Sequence, residues 1–346
     1  MSYTNGLDKP SDYFNTKLYT GNGTSQSITG VNFKPDFTWI KERSSTSSHL
    51  LEDSVRGATK TLFSNLTDAE GTNTNALTSF DSDGFSTGNS GITNQSSQTY
   101  VSWNWLASNT TASNTDGSIT STVSANTTSG FSIVSWTGTG ANATVGHGLG
   151  VAPKMIIIRR RTGSTTNWIV YHESIGNNNE LFLNLTNAST SSTRFQSTSP
   201  TSSVFSVSSN SAVNENTQSI IAYCFAEKKG FSKFGSYTGN GSATDGTFVY
   251  TGFKPAFVMI KRTNSTESWY IHDNKRDTFN PSDTHLLANS SNAELSISSL
   301  AIDLLSNGIK MRSTDTGYNA SGSTYIYMCF AENPFTTSTG IPTTAR

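Results

Sequence analysis

Short alternations of hydrophobic and polar residues recur along the chain, and this period of two predicts β-strands rather than helices. In the stretch FTWIK (37–41), Phe37, Trp39 and Lys41 fall on one face of an extended strand. The stretch MIIIRR (155–160) is more continuously apolar, as expected of a strand buried on both faces. Further stretches with strand character are SWYIH, LFLNL, VFSVSS and YIYMCFAE.

Turn signals separate these stretches and keep them short. The Asp-Gly pair in SDGF (82–85) and the Asn-Gly pair in SNGI (306–309) accept the positive φ that tight β-turns need. The one segment with a helical pattern, SISSLAIDLLSNG (296–308), is expected to form either a single turn or an extra strand. The pattern therefore predicts an all-β protein.

Three blocks of sequence occur three times in the same order. The opening blocks are TKLYTGNG (16–23), GFSIVSWTGTG (130–140) and GFSKFGSYTGNG (230–241). The middle blocks are GVNFKPDFTWIKER (30–43), GLGVAPKMIIIRRR (148–161) and YTGFKPAFVMIKRT (250–263). The closing blocks are TYVSWNWLA (99–107), QSIIAYCFAE (218–227) and TYIYMCFAE (324–332). Ordered blocks at nearly constant offsets indicate three copies of one domain.

We therefore predict three tandem repeats of an antiparallel β-sandwich or jelly-roll-like domain, each opened by a tight YTGNG-type turn after its first strand. Only KKG separates the second copy from the third, so these two are expected to pack closely. The predicted division is an N-terminal arm (1–17), the first repeat (18–108), a polar linker (109–129), the second repeat (130–228), the third repeat (229–335) and a C-terminal tail (336–346).

The composition supports a folded β-protein and limits the classes of partner that it is expected to bind. Only 14% of the 346 residues are charged, and Ser, Thr, Asn and Gly are abundant, but 11% aromatic residues argue against disorder. A net charge of -1 predicts no nucleic-acid partner. The chain shows neither a run of 18 apolar residues nor a secretory signal, so we expect synthesis in a host cytoplasm and no membrane insertion.

The candidate reactive residues favour structural roles. The glycine-rich turns lack the lysine and the following helix of a phosphate-binding loop, so no nucleotide cofactor is expected. Cys224 and Cys329 occupy the same place in two closing blocks and are predicted to be buried core residues rather than a disulfide. The histidines lack metal-ligand spacing and are expected to make structural hydrogen bonds: His49, His147, His172, His272 and His285.

Two acidic residues precede an arginine by three positions. The pairs are Asp53 with Arg56 and Asp273 with Arg276. This spacing is typical of a local ion pair in a turn. Catalysis by two such carboxyls in different domains would require them to face one cleft, so no catalytic residue is assigned.

The tryptophans divide into two groups. Those in regular strand patterns, such as Trp39, Trp168 and Trp269, are expected in the core. Trp103 and Trp105 in the first closing block and Trp136 in the second opening block are also expected in the core, with exposed aromatics that stack on sugars as the alternative.

The segment LYTGNGTSQSITGVNFKPDFTWIKERSSTSSHLLEDSVRG, with LTSFDSDGFSTG and TYVSWNWLA after it, resembles a repeat domain found in structural proteins of marine and cyanobacterial tailed phages. The resemblance is strongest over 6–107 and weakest in the second repeat, where VAPKMIIIRRR replaces FKPxFxxIK. Members are often described as tail-fibre-like, and the family carries no catalytic residues. The resemblance implies a virion component exposed on the particle.

Three functions follow as hypotheses. The first is a short tail fibre or spike that contacts the host surface through glycan or another receptor, as a homo-oligomer, with a trimer favoured and other virion proteins as partners. The second is a capsid decoration or knob protein bound to the major capsid protein, which the lack of heptads and other shaft sequence favours. The third is a polysaccharide depolymerase, with Asp53, Glu70, Asp81 and Asp83 as candidate acids.

Overall fold

The computed structural model describes residues 7 and 9–332 and confirms the all-β prediction. The strands form six sheets, and within each sheet neighbouring strands run antiparallel. Three of these sheets have six or eight strands, and the other three have two or three strands. Each repeat contributes one large and one small sheet.

The first repeat has a large sheet in the order β1-β9-β3-β4-β5-β6 and a small sheet in the order β2-β8-β7. A 3₁₀ turn, Pro10–Asp12, precedes it. Its elements are β1 (Phe14–Thr20), β2 (Gln26–Thr29), β3 (Phe37–Glu42), β4 (Leu50–Asp53), β5 (Lys60–Phe63), β6 (Gly71–Thr72), β7 (Leu77–Asp81), β8 (Gly84–Thr87), the one-turn helix α1 (Gly91–Asn94) and β9 (Thr99–Trp105).

The second repeat has a large sheet in the order β10-β11-β12-β19-β14-β15-β16-β17 and a small sheet of β13 and β18. A 3₁₀ turn, Glu173–Ile175, follows β15. Its elements are β10 (Ala112–Asn114), β11 (Ser121–Asn126), β12 (Phe131–Thr137), β13 (Ala143–Gly146), β14 (Met155–Arg160), β15 (Ile169–His172), β16 (Asn179–Phe182), β17 (Thr190–Ser191), β18 (Val204–Val207), α2 (Ser211–Asn214) and β19 (Ser219–Phe225).

The third repeat has a large sheet in the order β20-β28-β22-β23-β24-β25, which matches the first repeat strand for strand, and a small sheet in the order β21-β27-β26. A 3₁₀ turn, Ser298–Leu300, precedes β26. Its strands are β20 (Ser232–Thr238), β21 (Phe248–Tyr250), β22 (Pro255–Arg262), β23 (Trp269–Asp273), β24 (Thr284–Leu287), β25 (Leu295–Ser296), β26 (Ile302–Leu305), β27 (Gly308–Met311) and β28 (Thr324–Ala331).

Several predicted boundaries differ from the structure. The segment 109–129 was expected to be a polar linker, but it contributes β10 and β11 to the second large sheet. Residues 14–17 of the predicted arm belong to β1. The segment 296–308 forms both alternatives, a 3₁₀ turn and then β26. The predicted tail, 336–346, lies outside the described residues.

Each large sheet packs its outer face on its own small sheet. In the first repeat, Ile40 and Tyr100 of the large sheet meet Ile28 and Phe85 of the small sheet in one buried cluster. Separate clusters of the same kind fill the second and third repeats. These layers account for the sandwich character that the short strands predict.

The inner faces of the three large sheets meet in one shared core. At its centre lie Trp105, Phe225 and Phe330, which occupy the same place in the three closing strands β9, β19 and β28. Their ring centroids form a nearly equilateral triangle with sides of 6.3, 5.7 and 6.1 Å. The repeats are therefore arranged around a pseudo-threefold axis, and each large sheet is covered on both faces.

Backbone hydrogen bonds link each repeat to the next and close the ring. All three bonds join a residue at or near the outer edge of one large sheet to the residue just after a central strand of the next repeat. They run from the amide of Glu70 to the carbonyl of Arg161 (2.7 Å), from Ser189 to Thr263 (2.8 Å) and from Glu294 to Arg43 (2.8 Å). The closure is cyclic, as in a three-subunit ring, but within one chain.

The YTGNG-type turn follows the first strand, as predicted, and a buried asparagine holds it. In the first repeat, a Cβ on Gly21 would lie 2.1 Å from the carbonyl oxygen of Gln95, so only glycine fits. Fully buried Asn94 accepts a hydrogen bond from the amide of Asn22 (2.8 Å) and donates one to Gly88 (2.8 Å). The other two repeats place Asn214 and Asn319 in the same role. The recurring turn is thus a structural element of each repeat.

Candidate functional site

The three tryptophans for which a surface role was the alternative lie in the core, so the alternative of surface-binding aromatics is wrong. Trp103, Trp105 and Trp136 are 0%, 1% and 3% exposed. The indole nitrogen of Trp103 donates to the carboxylate of Asp273 in the third repeat (3.0 Å). Trp136 packs against Phe205 in the outer core of the second repeat. The reason is that the central strands of a large sheet have no solvent-facing side.

Among the described residues, the exposed aromatic side chains lie instead in the third repeat. Phe248 and Tyr250 project from β21, with 44% and 54% of their surface exposed, while Val249 between them is buried. β21 is an edge strand of the small sheet, so these side chains stand on the outer face of the body. Two large aromatic side chains on one face of an edge strand form an apolar patch of the kind that marks binding surfaces.

A glycine on the neighbouring strand makes room for the ring of Phe248. A Cβ on Gly308, which pairs with Tyr250 across the strands, would lie 2.7 Å from a ring atom of Phe248. A Cβ on Gly252 would lie 3.5 Å from the hydroxyl of Tyr250. A side chain at 308 would therefore displace the ring of Phe248, whereas one at 252 would only contact Tyr250. We call Phe248 and Tyr250 the aromatic strand.

A lysine and an aspartate lie beside Phe248. Lys310 lies opposite Phe248 on β27, and its amine contacts the carboxylate of Asp245 (2.7 Å). The most exposed large apolar side chain of the described residues, Phe279 (85%), precedes Asn280, whose amide side chain bonds the backbone of Leu304 on the opposite edge of the small sheet. Aromatic faces beside hydrogen-bonding groups can bind a ligand that has both apolar and polar surfaces.

The other two repeats lack this feature. When β2 and β21 are aligned at their buried residues, Ile28 and Val249, Phe248 and Tyr250 correspond to Ser27 and Thr29 of the first repeat. In the second repeat the same places hold Thr144 and a glycine. The sequence pattern does not predict the aromatic strand, because FVY is too short to show a period. Alignment with QSIT would have shown it.

The predicted Asp-x-x-Arg ion pairs are confirmed, and both are fully buried. Asp53 contacts Arg56, and Asp273 contacts Arg276 at 2.5 Å. Each aspartate also receives a bond from the closing strand of another repeat, which for Asp53 is the hydroxyl of Tyr223 (2.8 Å). Burial works to lower the pKa of Arg56, but the adjacent carboxylate of Asp53 raises it above the usual range. These pairs hold repeats together rather than facing a cleft.

The remaining candidate acids, Glu70, Asp81 and Asp83, each accept hydrogen bonds from two nearby residues. The two hydrogen bonds from backbone amides to Asp83 also lower the pKa of its carboxyl. Such bonds fix interfaces and turns. They join Glu70 to Arg56 and Arg161, Asp81 to Ser79 and Ser86, and Asp83 to the backbone of Gly30 and Asn32.

The cysteines and histidines have the structural roles that the sequence predicts. Cys224 and Cys329 are buried free thiols, and burial raises the pKa of both. In the described residues, no group of three or more His, Cys, Asp or Glu side chains is placed to hold a metal ion. Residues 7 and 9–332 contain no helix long and apolar enough to cross a membrane.

All five histidines are buried, and burial lowers the pKa of each. His172 illustrates the effect: its ring contacts the carbonyl of Tyr327 in the third repeat (3.3 Å) and accepts a bond from the amide of Ser174, and its pKa falls to about 4. In the strand pairing, His172 occupies the position that Asp53 and Asp273 hold in the other two repeats, whereas His272 occupies the position of Glu52. The two histidines are therefore not equivalent.

We expect the free energy of unfolding to fall as the pH is lowered from about 6.5 to about 4. In this window the unfolded chain binds protons that the buried neutral histidines cannot, so protonation favours unfolding. The contribution of His172 is about 3 kcal/mol, from a shift between about 6.5 and about 4. Urea denaturation at a series of pH values measures it. His172→Gln should flatten the decline, and an unchanged slope would contradict this assignment.

Comparison with known proteins identifies one family. The sequence model of a domain of unknown function, DUF7483, matches residues 9–334. Searches of curated proteins and of solved structures found no match. The family match covers nearly the whole chain, but its description assigns no activity.

Proposed function

We propose that this chain, which belongs to the DUF7483 family of domains of unknown function, is a non-enzymatic adhesin of the short tail-fibre or spike type on the outside of a tailed-phage virion. The aromatic strand of the third repeat would contact glycan on the host surface. The exposure of Phe248 and Tyr250 on the outer edge of a rigid β body carries this proposal. The phage setting rests on the resemblance of the repeated motifs.

Glycan is the ligand class that suits the aromatic strand. The faces of a sugar ring that carry C–H bonds pack on the negative face of an aromatic ring, and the hydroxyls bond to neighbouring polar groups. Residues two apart on a strand stand about 7 Å from each other, so the two rings can support successive parts of one chain of sugars. Lys310 and Asp245 supply polar partners beside Phe248.

The scaffold suits display rather than turnover. The shared core and the closed ring of interfaces hold the third repeat rigidly against the other two. Side chains with unusual protonation, such as His172 and Cys224, are buried and hydrogen-bonded or packed, away from any substrate. A binding surface on a rigid scaffold limits the entropy lost on binding.

A double variant, Phe248→Ser with Tyr250→Thr, tests glycan binding. It gives the third repeat the residues that the first repeat has at these positions, so we expect it to fold normally. Loss of both stacking faces should weaken binding to host surface glycan by at least about tenfold, since aromatic contacts contribute about 0.5–1.5 kcal/mol each beyond the area they bury. A glycan array followed by calorimetry measures this.

The matched control is Ser27→Ala with Thr29→Ala, which changes the equivalent strand of the first repeat. It should bind glycan as the parent protein does. Equal binding by the parent and the Phe248→Ser, Tyr250→Thr variant would exclude the aromatic strand as the glycan site.

The closed arrangement of the three repeats favours a second candidate, a capsid decoration or knob protein. Repeats 1 to 3 surround one axis, and the described residues form no extended shaft. Cryo-electron microscopy of virions with a bound antibody distinguishes the two functions. Label on the tail supports the adhesin, whereas label distributed over the icosahedral shell would replace it by the decoration protein. The predicted homotrimer stays a prediction that the same images test.

A further inference from the structure

The three repeats differ in whether the first strand of the large sheet is covered. In the second repeat, β11 pairs with the outer side of β12, with Val123 opposite Val134. In the first and third repeats, the equivalent strands β1 and β20 are the last strands of their sheets. Within residues 7 and 9–332, no strand pairs with this edge of β1, whereas the segment before β20 partly covers the edge of the third repeat. There the amide of Phe234 donates to the carboxylate of Glu227 (3.4 Å), and Lys228 forms a bridge with Ser232.

The open edge of β1 presents unpaired backbone groups. The backbone amide of Leu106 donates to the backbone carbonyl of Tyr13 (2.9 Å), and the side-chain amide of Asn104 donates to the backbone carbonyl of Asn15 (3.1 Å). The backbone groups of these odd-numbered residues therefore face β9. Because successive residues of an antiparallel strand point to opposite sides, the backbone groups of Thr16 and Leu18 face away from β9. Such a row of donors and acceptors is a template for another strand.

A cleft of about 280 Å³ between the first and third repeats borders this edge. Thr16 and Asn274 line it, and they are only 5% and 9% exposed. The hydroxyl of Thr16 and the amide oxygen of Asn274 have no hydrogen-bond partner within the described part of the chain. Buried polar atoms are nearly always bonded, so this pair points to a missing polar partner in the cleft.

The charge around β1 is positive. Lys17 and Lys275 line an adjoining cleft of about 420 Å³, and neither lies in a salt bridge with a carboxylate of residues 7 and 9–332. Asp83 accepts hydrogen bonds from Gly30 and Asn32 of the same cleft, and these bonds, with a smaller effect of Lys17, lower the pKa of its carboxyl, so two lysines face one exposed carboxylate here. The nearby Glu332 is already paired with Lys254 (2.8 Å). The cleft beside β20, by contrast, is lined by uncharged side chains. An acidic partner therefore fits the edge of β1 and has no equivalent attraction at β20.

We propose that β1 is a strand-addition site for an extended acidic segment of another protein, which pairs antiparallel with β1 as β11 pairs with β12. Main-chain hydrogen bonds to Thr16 and Leu18 supply affinity, and an acidic side chain opposite Lys17 supplies selectivity. This site lies on different elements from the aromatic strand and gives the body a separate point of attachment.

The probe is a synthetic peptide that copies residues 119–127 of the chain, ITSTVSANT, with Val123→Glu to place a carboxylate opposite Lys17. Hydrogen–deuterium exchange of the full chain with this peptide should slow at the amides of 14–20 and remain unchanged at 232–238. The same peptide with Val123→Lys should give no protection. Protection of neither strand, or equal protection of both, would overturn the proposal.

Two protein variants separate strand addition from loss of fold. Lys17→Gln keeps the strand and should weaken the peptide about twofold to fivefold, as expected for one cross-strand charge pair. Thr16→Pro removes an amide that faces the open edge and should abolish protection, whereas Ser236→Pro on the edge of β20 should leave it intact. Unchanged affinity of Lys17→Gln, or binding to Thr16→Pro equal to that of the parent, would overturn the proposal.

Discussion

Replacing Trp105 with alanine is expected to lower the free energy of unfolding by about 3–5 kcal/mol. Trp105 is 1% exposed and lies beside the pseudo-threefold axis, where its ring is 5.7 Å from Phe330 and 6.3 Å from Phe225. It also packs against Phe14 at 4.9 Å. Truncation therefore leaves a cavity that all three repeats line, and the loss should be shared rather than confined to the first repeat.

Urea denaturation followed by fluorescence gives the change in free energy, and hydrogen exchange reports each large sheet separately. Protection should fall in β9, β19 and β28 together. Tyr250→Ala, at an exposed aromatic residue, is the control and should change stability little. Loss of protection in β9 alone would mean that the repeats fold independently, contrary to a shared core.

Replacing Asp53 with alanine is expected to cost about 3–5 kcal/mol, because it leaves a buried cation without its nearest carboxylate. The side chains of Asp53 and Arg56 are both fully buried. The change also removes the acceptor of the Tyr223 hydroxyl, which comes from the second repeat. Glu70, 3.2 Å from Arg56, remains as a second partner and limits the loss.

Thermal and urea unfolding of Asp53→Ala measure this effect. The control is Asp245→Ala, which removes an exposed carboxylate that also contacts a cation and should leave stability unchanged within error. Tyr223→Phe should cost less than Asp53→Ala, since it removes one hydrogen bond and no charge. Equal stability of Asp53→Ala and Asp245→Ala would show that the buried pair does not hold the first and second repeats together.

The sequence predicts the strands and the turns because these depend on local pattern. Alternation in FTWIK places Trp39 and Lys41 on one face, and both are buried in the structure. Alternation reports which side chains share a face, but it does not report what covers that face. In an isolated sandwich one face of Trp103 and Trp105 would meet solvent. In this body that face meets two other repeats, so the two tryptophans are buried.

The hairpin in 109–129 was missed for a related reason. Its Ser, Thr and Asn content is typical of a loop, and β11 contains one large apolar residue, Val123. That residue is 7% exposed and belongs to the outer core of the second repeat. The strand forms because an open edge of β12 lies beside it, and a tertiary partner of this kind leaves little mark on the local sequence.

The pseudo-threefold ring has a consequence for how this protein varies and assembles. In a ring of three identical chains, every substitution appears three times, so no copy can gain an aromatic strand or a covering hairpin alone. Three repeats in one chain can change separately. The third repeat has Tyr250 on its edge strand, and the second repeat has the covering strand β11. Because the link between them is covalent, dilution does not separate the three repeats of one chain from each other.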